Sequence, residues 1–147
     1  MRVHLLMVLA VGLLLAADKP KDAAKKDVQK FAGTWTVASM ETNGEKVPEE
    51  RYKDIKIAFK GDKFTLTTPE GEMEGTFTLD PSKKPKAINA KGTNANGEAF
   101  GVWGIYELKG ATLKVCYSHE SEDQRPTEFK TTADSKNTLA VYKRSAD

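Results

Sequence analysis

The sequence has 147 residues, with 23 Lys and Arg residues against 21 Asp and Glu residues, a formal net charge of +2. Its single cysteine excludes an intrachain disulfide, and its two histidines exclude a zinc site built from several imidazoles. A chain of this length and near-neutral charge predicts one domain that does not bind nucleic acid, since such binding usually requires a strongly basic surface.

The chain begins with the pattern of a secretory signal peptide. Arg2 precedes an apolar, uncharged run over residues 5–17, which is too short for a membrane-spanning helix of about 20 residues. Residues 1–17 are therefore predicted to be a cleavable signal peptide that leaves no membrane span. Because no cysteine follows as a lipid attachment site, we expect a secreted or periplasmic protein.

A charged segment separates the apolar run from the folded domain. Residues 18–26 contain four lysines, two aspartates and a proline but no large apolar side chain, a composition typical of a flexible tether. Order is predicted to begin at Asp27, so the domain covers residues 27–147. Two short stretches within it favour a helix, residues 27–31 and 48–53.

Elsewhere, apolar residues alternate with a period of two, and turn residues recur at strand-length intervals. This pattern predicts an all-β barrel or sandwich. The nine predicted strands cover residues 34–41, 54–60, 63–68, 72–79, 86–92, 99–108, 112–118, 127–132 and 138–144.

A glycine turn at residues 61–62 allows the register of the first hairpin to be predicted. A two-residue loop there places Phe59 opposite Phe64 and Ile57 opposite Leu66, with all four side chains on one face. On the last strand, alternation assigns Leu139 and Val141 to the same inner face.

A second turn at residues 109–110 predicts that Trp103 lies opposite Cys116 and Ile105 opposite Lys114. These residues belong to the outer face of the hairpin, which is therefore partly apolar. Either the N-terminal helix or the last strand covers this face, or Trp103, Ile105 and Cys116 form a face for a protein partner.

No catalytic or metal-binding constellation is evident. Cys116 and His119 are three residues apart on a strand, so their side chains point to opposite faces and do not form a nucleophile–base pair. Glu107 and Glu128 are carboxylates with no spacing that would make them an acid–base pair. We expect a protein that is not an enzyme and has no catalytic residue, metal or cofactor.

Residues 27–35 closely resemble the opening motif of lipocalins, a helical turn followed by Gly-x-Trp, here Gly33 and Trp35. The resemblance implies an eight-stranded up-and-down barrel in which the tryptophan closes one end. It also implies that Arg144 stacks on the ring, a cation–π contact worth about 0.5–2 kcal/mol.

The body of the chain is also similar to an uncharacterised lipocalin-like domain family that is abundant in planctomycete bacteria. This similarity implies a fold and an extracytoplasmic setting but no established activity. The stretches that carry it are residues 33–37, 43–48, 59–64, 79–88, 104–108 and 125–129.

An eight-stranded barrel is either filled by its side chains or wide enough for one small ligand. By the lipocalin resemblance, residues 43–53 are a candidate lid over the open mouth. We expect an exported, non-enzymatic protein that binds a small apolar or amphipathic ligand. The alternative is an interaction or inhibitor-like barrel with a filled interior, acting through its outer face and loops. The candidate ligand-binding residues are Tyr52, Tyr106, Tyr117, Phe59 and Phe64.

Overall fold

The structure, a computed structural model, describes residues 12–146. A helix, α1 (Gly12–Phe31), precedes the strands. The strands are β1 (Gly33–Thr42), β2 (Glu45–Lys46), β3 (Lys56–Lys60), β4 (Lys63–Thr68), β5 (Gly71–Asp80), β6 (Ala87–Thr93), β7 (Ala99–Lys109), β8 (Thr112–Ser118) and β9 (Thr138–Arg144). Two 3-10 turns, Glu49–Arg51 and Glu122–Gln124, lie in the longest connections.

Eight of the strands form a closed antiparallel barrel. Each strand from β3 to β9 pairs with the next along the chain, and β1 closes the barrel by pairing with both β3 and β9. The two-residue strand β2 is an addition at the edge of β1. The predicted all-β, up-and-down barrel is confirmed.

Strand alternation predicted eight of the strands within a few residues, but the predicted strand at residues 127–132 was wrong. Residues 127–132 form no strand and belong to an irregular segment, residues 119–137, that joins β8 to β9. The hydroxyl of Thr131 in this segment accepts from the Gly44 backbone N–H and donates to the Glu41 carboxylate. The alternation of residues 127–132 therefore reflects packing against the barrel and not strand pairing.

The register of the first hairpin is confirmed, with Phe59 opposite Phe64 and Ile57 opposite Leu66. The second hairpin is displaced by one pair. Its loop consists of residues 110–111, so Cys116 lies opposite Ile105 and not opposite Trp103.

The position of Gly110 explains why the register of the second hairpin differs from the predicted one. Gly110 has φ +56° and Gly61 has φ +60°, and each takes the first position of its two-residue loop, where positive φ is required. Because the displacement moves the register by an even number of residues, the predicted inner and outer faces of this hairpin are unchanged.

The helix reaches further toward the N-terminus than predicted. It includes residues 18–26, the predicted tether, and ends at Phe31 as expected. The predicted signal peptide falls largely on residues 1–11, outside the described residues. Within residues 12–146, no helix is both long and apolar enough to cross a membrane.

Candidate ligand-binding site

One end of the barrel is closed by the last turn of α1. The buried Phe31 ring lies 5.1 Å from that of Phe59, 5.7 Å from that of Phe77 and 5.3 Å from that of Tyr106, measured between centroids. These edge-on and stacked aromatic contacts fill the barrel at this end. No space for a ligand remains between the four rings.

Trp35 and Arg144 reinforce the closed end. The guanidinium carbon of Arg144 lies 4.2 Å from the centre of the buried Trp35 ring. The same guanidinium donates to the carbonyl oxygens of Ala32 and Lys30, both at 2.6 Å, and the indole N–H donates to that of Phe31 at 2.8 Å. Arg144 therefore ties the end of α1 to β1 and β9. Gly33, with φ +120°, has no side chain that would crowd the guanidinium.

A buried carboxylate locks the helix to the same end. Asp27 Oδ2 accepts from the Tyr106 hydroxyl at 2.6 Å and from Lys86 Nζ at 3.1 Å. Burial raises the pKa of Asp27, but these two hydrogen bonds and the charges of Lys86 and Lys30 outweigh it, so the pKa lies below its usual value. Burial and the adjacent Asp27 carboxylate raise the pKa of Tyr106.

The opposite half of the barrel contains a cavity of about 390 Å³ that is partly open to solvent. This volume lies within the range of about 300–1,000 Å³ that is typical of small-molecule sites. Most of its lining is apolar or aromatic. The lining residues are Ile57, Phe59, Phe64, Leu66, Met73, Phe77, Ile88, Ala90, Asn94, Phe100, Val102, Leu113, Val115, Tyr117, His119 and Tyr142.

Few polar side chains face this cavity. Burial raises the pKa of Tyr117 and of Tyr142, and the proximity of Tyr117 raises that of Tyr142 further. Both phenols are therefore protonated donors at neutral pH. His119 lies at the mouth, where its ring packs edge-on against that of Tyr117 at 5.3 Å and its Nδ1 lies 3.0 Å from the Gly101 carbonyl oxygen.

Three of the five candidate ligand-binding residues, Phe59, Phe64 and Tyr117, line the cavity. The other two do not. Tyr106 belongs to the closed end, and the Tyr52 hydroxyl lies on the outside, 3.5 Å from the Ala38 carbonyl oxygen. The segment proposed as a lid is attached to β1 through β2 and through the Val47 N–H, which donates to the Met40 carbonyl oxygen.

Several lining residues were missed by the sequence analysis, although alternation contained a signal for some of them. Phe100 and His119 continue the inward-facing series of β7 and β8 toward the mouth. For Tyr142 the predicted face was wrong. Leu139 and Val141 lie opposite Cys116 and Lys114 on the outer face, whereas Ala140 and Tyr142 point inward.

The candidate partner face is largely covered by the chain itself. Ile105 is 2% exposed and Cys116 is 0% exposed, so neither is available to a partner, and only Trp103 remains half-exposed. The cover is the 119–137 segment, not the N-terminal helix or the last strand, which were the two covers that the sequence suggested. Its Lys130 carbonyl oxygen lies 3.7 Å from Cys116 Sγ.

Arg125 anchors this covering segment. Its guanidinium donates to the carbonyl oxygens of Ile88 and Gly104, at 3.0 and 2.8 Å, and to the side-chain oxygen of Asn89.

Burial raises the pKa of the Cys116 thiol, which therefore stays protonated and weakly nucleophilic.

Comparisons with protein-family models, with curated proteins and with solved structures find no match to this chain. Among residues 12–146, no cluster of three or more His, Cys, Asp or Glu side chains has the arrangement needed to hold a metal ion.

Proposed function

We propose that this protein is an exported, non-enzymatic binding protein that takes a small apolar or amphipathic molecule into the open half of a lipocalin-like barrel. The cavity of about 390 Å³, lined mainly by apolar and aromatic side chains, is the observation that carries the proposal. Its floor is the aromatic cluster around Phe31, so a ligand enters from the opposite end.

Apolar burial supplies the affinity in this proposal. A ligand that loses about 200 Å² of apolar surface to the cavity gains about 5 kcal/mol before the cost of association is subtracted. All of the lining side chains except Asn94 and His119 come from strands of a closed sheet, which holds them in place before binding. A gain of this size corresponds to a dissociation constant of about 0.2 mM, and the cost of association weakens it further, so we expect affinity no tighter than about 0.2 mM for such a molecule.

The alternative is an interaction or inhibitor-like barrel that acts through its outer face and loops. A filled interior would favour it, but here the packed rings occupy only one end. The covering of Ile105 and Cys116 also removes two of the three apolar residues on the proposed contact surface. Ligand binding is thus the better supported of the two functions.

The non-enzymatic part of the proposal rests on the chemistry of the described side chains. The Cys116 thiol is buried beneath the 119–137 segment, while His119 lies at the cavity mouth, so the two belong to different environments. Glu107 lies on the outer side of its hairpin, opposite Lys114. These residues support binding better than they support a reaction.

The binding test uses a neutral fluorescent probe, N-phenyl-1-naphthylamine, with a matched pair of variants. Ala90 lines the cavity, and its neighbour Lys91 is exposed on the outside of the same strand. We expect the probe to bind the unaltered protein and Lys91→Leu, whereas Ala90→Leu fills the site and weakens binding by at least tenfold. Equal binding to all three proteins, or binding to none, would contradict the proposal.

Export is tested separately by expressing the full chain in a bacterium with a periplasm. We expect the product in the periplasmic fraction, with a mass that corresponds to loss of residues 1–17. A charged substitution in the apolar run, Leu14→Asp, should retain the uncut product in the cytoplasm. An uncut wild-type product in the cytoplasm would refute export without affecting the binding proposal.

A further inference from the structure

We propose that the ligand is an uncharged amphipathic molecule with a hydroxyl group, and that His119 and Tyr117 bind this hydroxyl at the mouth of the cavity. This inference rests on the proposed binding function and specifies the chemical class of the ligand. It follows from the polar groups of the cavity and from the absence of charge in its lining.

With the His119 ring neutral, the cavity lining offers no opposite charge to a charged head group. None of its sixteen lining residues is Lys, Arg, Asp or Glu. A carboxylate or ammonium group that entered would lose its hydration without gaining an opposite charge, which is far more costly than the same transfer of a hydroxyl. The lining therefore selects against ionised amphipaths.

The rim adds a bias against anions. Asn94, at the mouth, donates from its side-chain amide to the Glu98 carboxylate at 2.9 Å. The side-chain Oδ1 of Asn94 accepts from the backbone N–H groups of Asn96 and Glu98, each at 2.9 Å, so this turn holds the Glu98 carboxylate at the entrance. A fatty-acid anion approaching this side of the mouth meets a like charge.

The imidazole of His119 provides the acceptor. The Gly101 carbonyl oxygen can only accept, so Nδ1 of His119 carries the hydrogen of that contact. In the neutral ring Nε2 is then an unprotonated acceptor. The same contact and the edge-on packing against Tyr117 hold the ring in place.

The tyrosines provide the donors. Burial keeps the phenols of Tyr117 and Tyr142 protonated, and both residues line the cavity. The rings of Tyr117 and His119 lie 5.3 Å apart, so one ligand hydroxyl at the mouth can donate to His119 Nε2 and accept from the Tyr117 phenol, which also has a side-chain hydrogen bond with Thr138. A carboxylate has no hydrogen to donate to the imidazole, and an ammonium group has no lone pair to accept from the phenols.

The first experiment measures displacement of N-phenyl-1-naphthylamine at pH 8 by three amphipaths with the same tail: 1-decanol, decanoate and decylammonium. We expect decanol to displace the probe at a concentration at least tenfold lower than that of either ion. If the probe binds but decanoate or decylammonium competes as well as decanol, the inference is wrong while the binding function stands. If the probe itself does not bind, the binding function fails.

The second experiment locates the hydroxyl. Tyr117→Phe and His119→Leu should each weaken decanol binding about threefold to tenfold, the value of one hydrogen bond, and leave the probe's affinity within twofold. Tyr52→Phe removes a tyrosine hydroxyl outside the cavity and serves as the matched control. Unchanged decanol binding in both cavity variants would overturn the assignment of these residues.

Discussion

Trp35 and Arg144 connect the two ends of the chain at the closed end of the barrel. The indole belongs to the first strand and the guanidinium to the last, and both bind carbonyl oxygens of α1. Because these contacts join three elements that are distant in sequence, we expect them to be disproportionately important for stability.

Replacing Trp35 by alanine should lower the free energy of unfolding by about 3–5 kcal/mol, because the ring is 0% exposed and leaves a cavity behind. Urea unfolding followed by circular dichroism measures the loss. Trp103→Ala, at a half-exposed ring on the outer face, is the matched control and should cost less. Equal losses in the two variants would contradict the role of Trp35 in closure.

The buried Asp27 carboxylate predicts a pH dependence. Its pKa is lower in the folded protein than in the unfolded chain, so its stabilising contribution is complete above the unfolded value of about 3.9. It is lost as the pH falls through the folded value. We therefore expect the free energy of unfolding to fall more steeply below about pH 4 in the unaltered protein than in Asp27→Asn.

The hydroxyl of Tyr106 is a separate part of this arrangement. Tyr106→Phe removes the donor at 2.6 Å and leaves the buried carboxylate with Lys86 alone, which should cost about 1–3 kcal/mol at pH 7. Tyr52→Phe, at an exposed hydroxyl, is the control in urea unfolding. A negligible loss in Tyr106→Phe would show that water replaces the phenol.

For single residues, the sequence predicted which face of a strand a side chain occupies better than it predicted which end of the barrel the side chain occupies. The inward faces of β3, β4, β7 and β8 follow from alternation, and hence Phe59, Phe64 and Tyr117 were assigned correctly to the interior. Tyr106 also faces inward, but alternation does not reveal that the helix fills its end. That distinction depends on where Phe31 packs.

At the scale of elements, the 119–137 segment is the main departure from the predicted fold. It replaces a predicted strand with an irregular cover over the outer face of β7 and β8. Its attachment depends on single side chains such as Arg125 and Thr131, which bind backbone groups and side chains of other elements. Strand patterns cannot reveal such contacts, because they have no period.

Loosening this segment should expose the thiol of Cys116. Arg125→Ala removes the hydrogen bonds to the Ile88 and Gly104 carbonyl oxygens, and we expect the rate of Cys116 modification by a disulfide reagent to rise about tenfold. Arg51→Ala, at an exposed arginine in a 3-10 turn, is the control. Rapid modification of the unaltered protein would contradict the covering described above.

For the whole molecule, the barrel is closed at one end by a helix and hollow at the other. The last turn of α1 contributes Asp27 and Phe31 to the packed end, whereas residues 21–26 contain no buried side chain. Among residues 21–31, Asp27, the predicted start of the domain, is the first whose side chain is buried. Residues 21–26 of the helix add little burial.

Two truncations test the N-terminal part of α1 separately from its last turn, which closes the barrel. A chain that begins at Asp27 should have a free energy of unfolding within about 1 kcal/mol of that of a chain that begins at Asp18, because residues 21–26, most of those removed, are exposed or half-buried. A chain that begins at Ala32 lacks the Phe31 ring, the Asp27 carboxylate and the acceptor of the Trp35 N–H. Its free energy of unfolding should therefore be lower by at least about 3 kcal/mol. Phe31→Ala in the longer chain isolates the ring and should account for most of that loss. If removal of residues 18–26 alone were as damaging, the N-terminal part of α1 would be part of the folded domain and the boundary at Asp27 would be wrong.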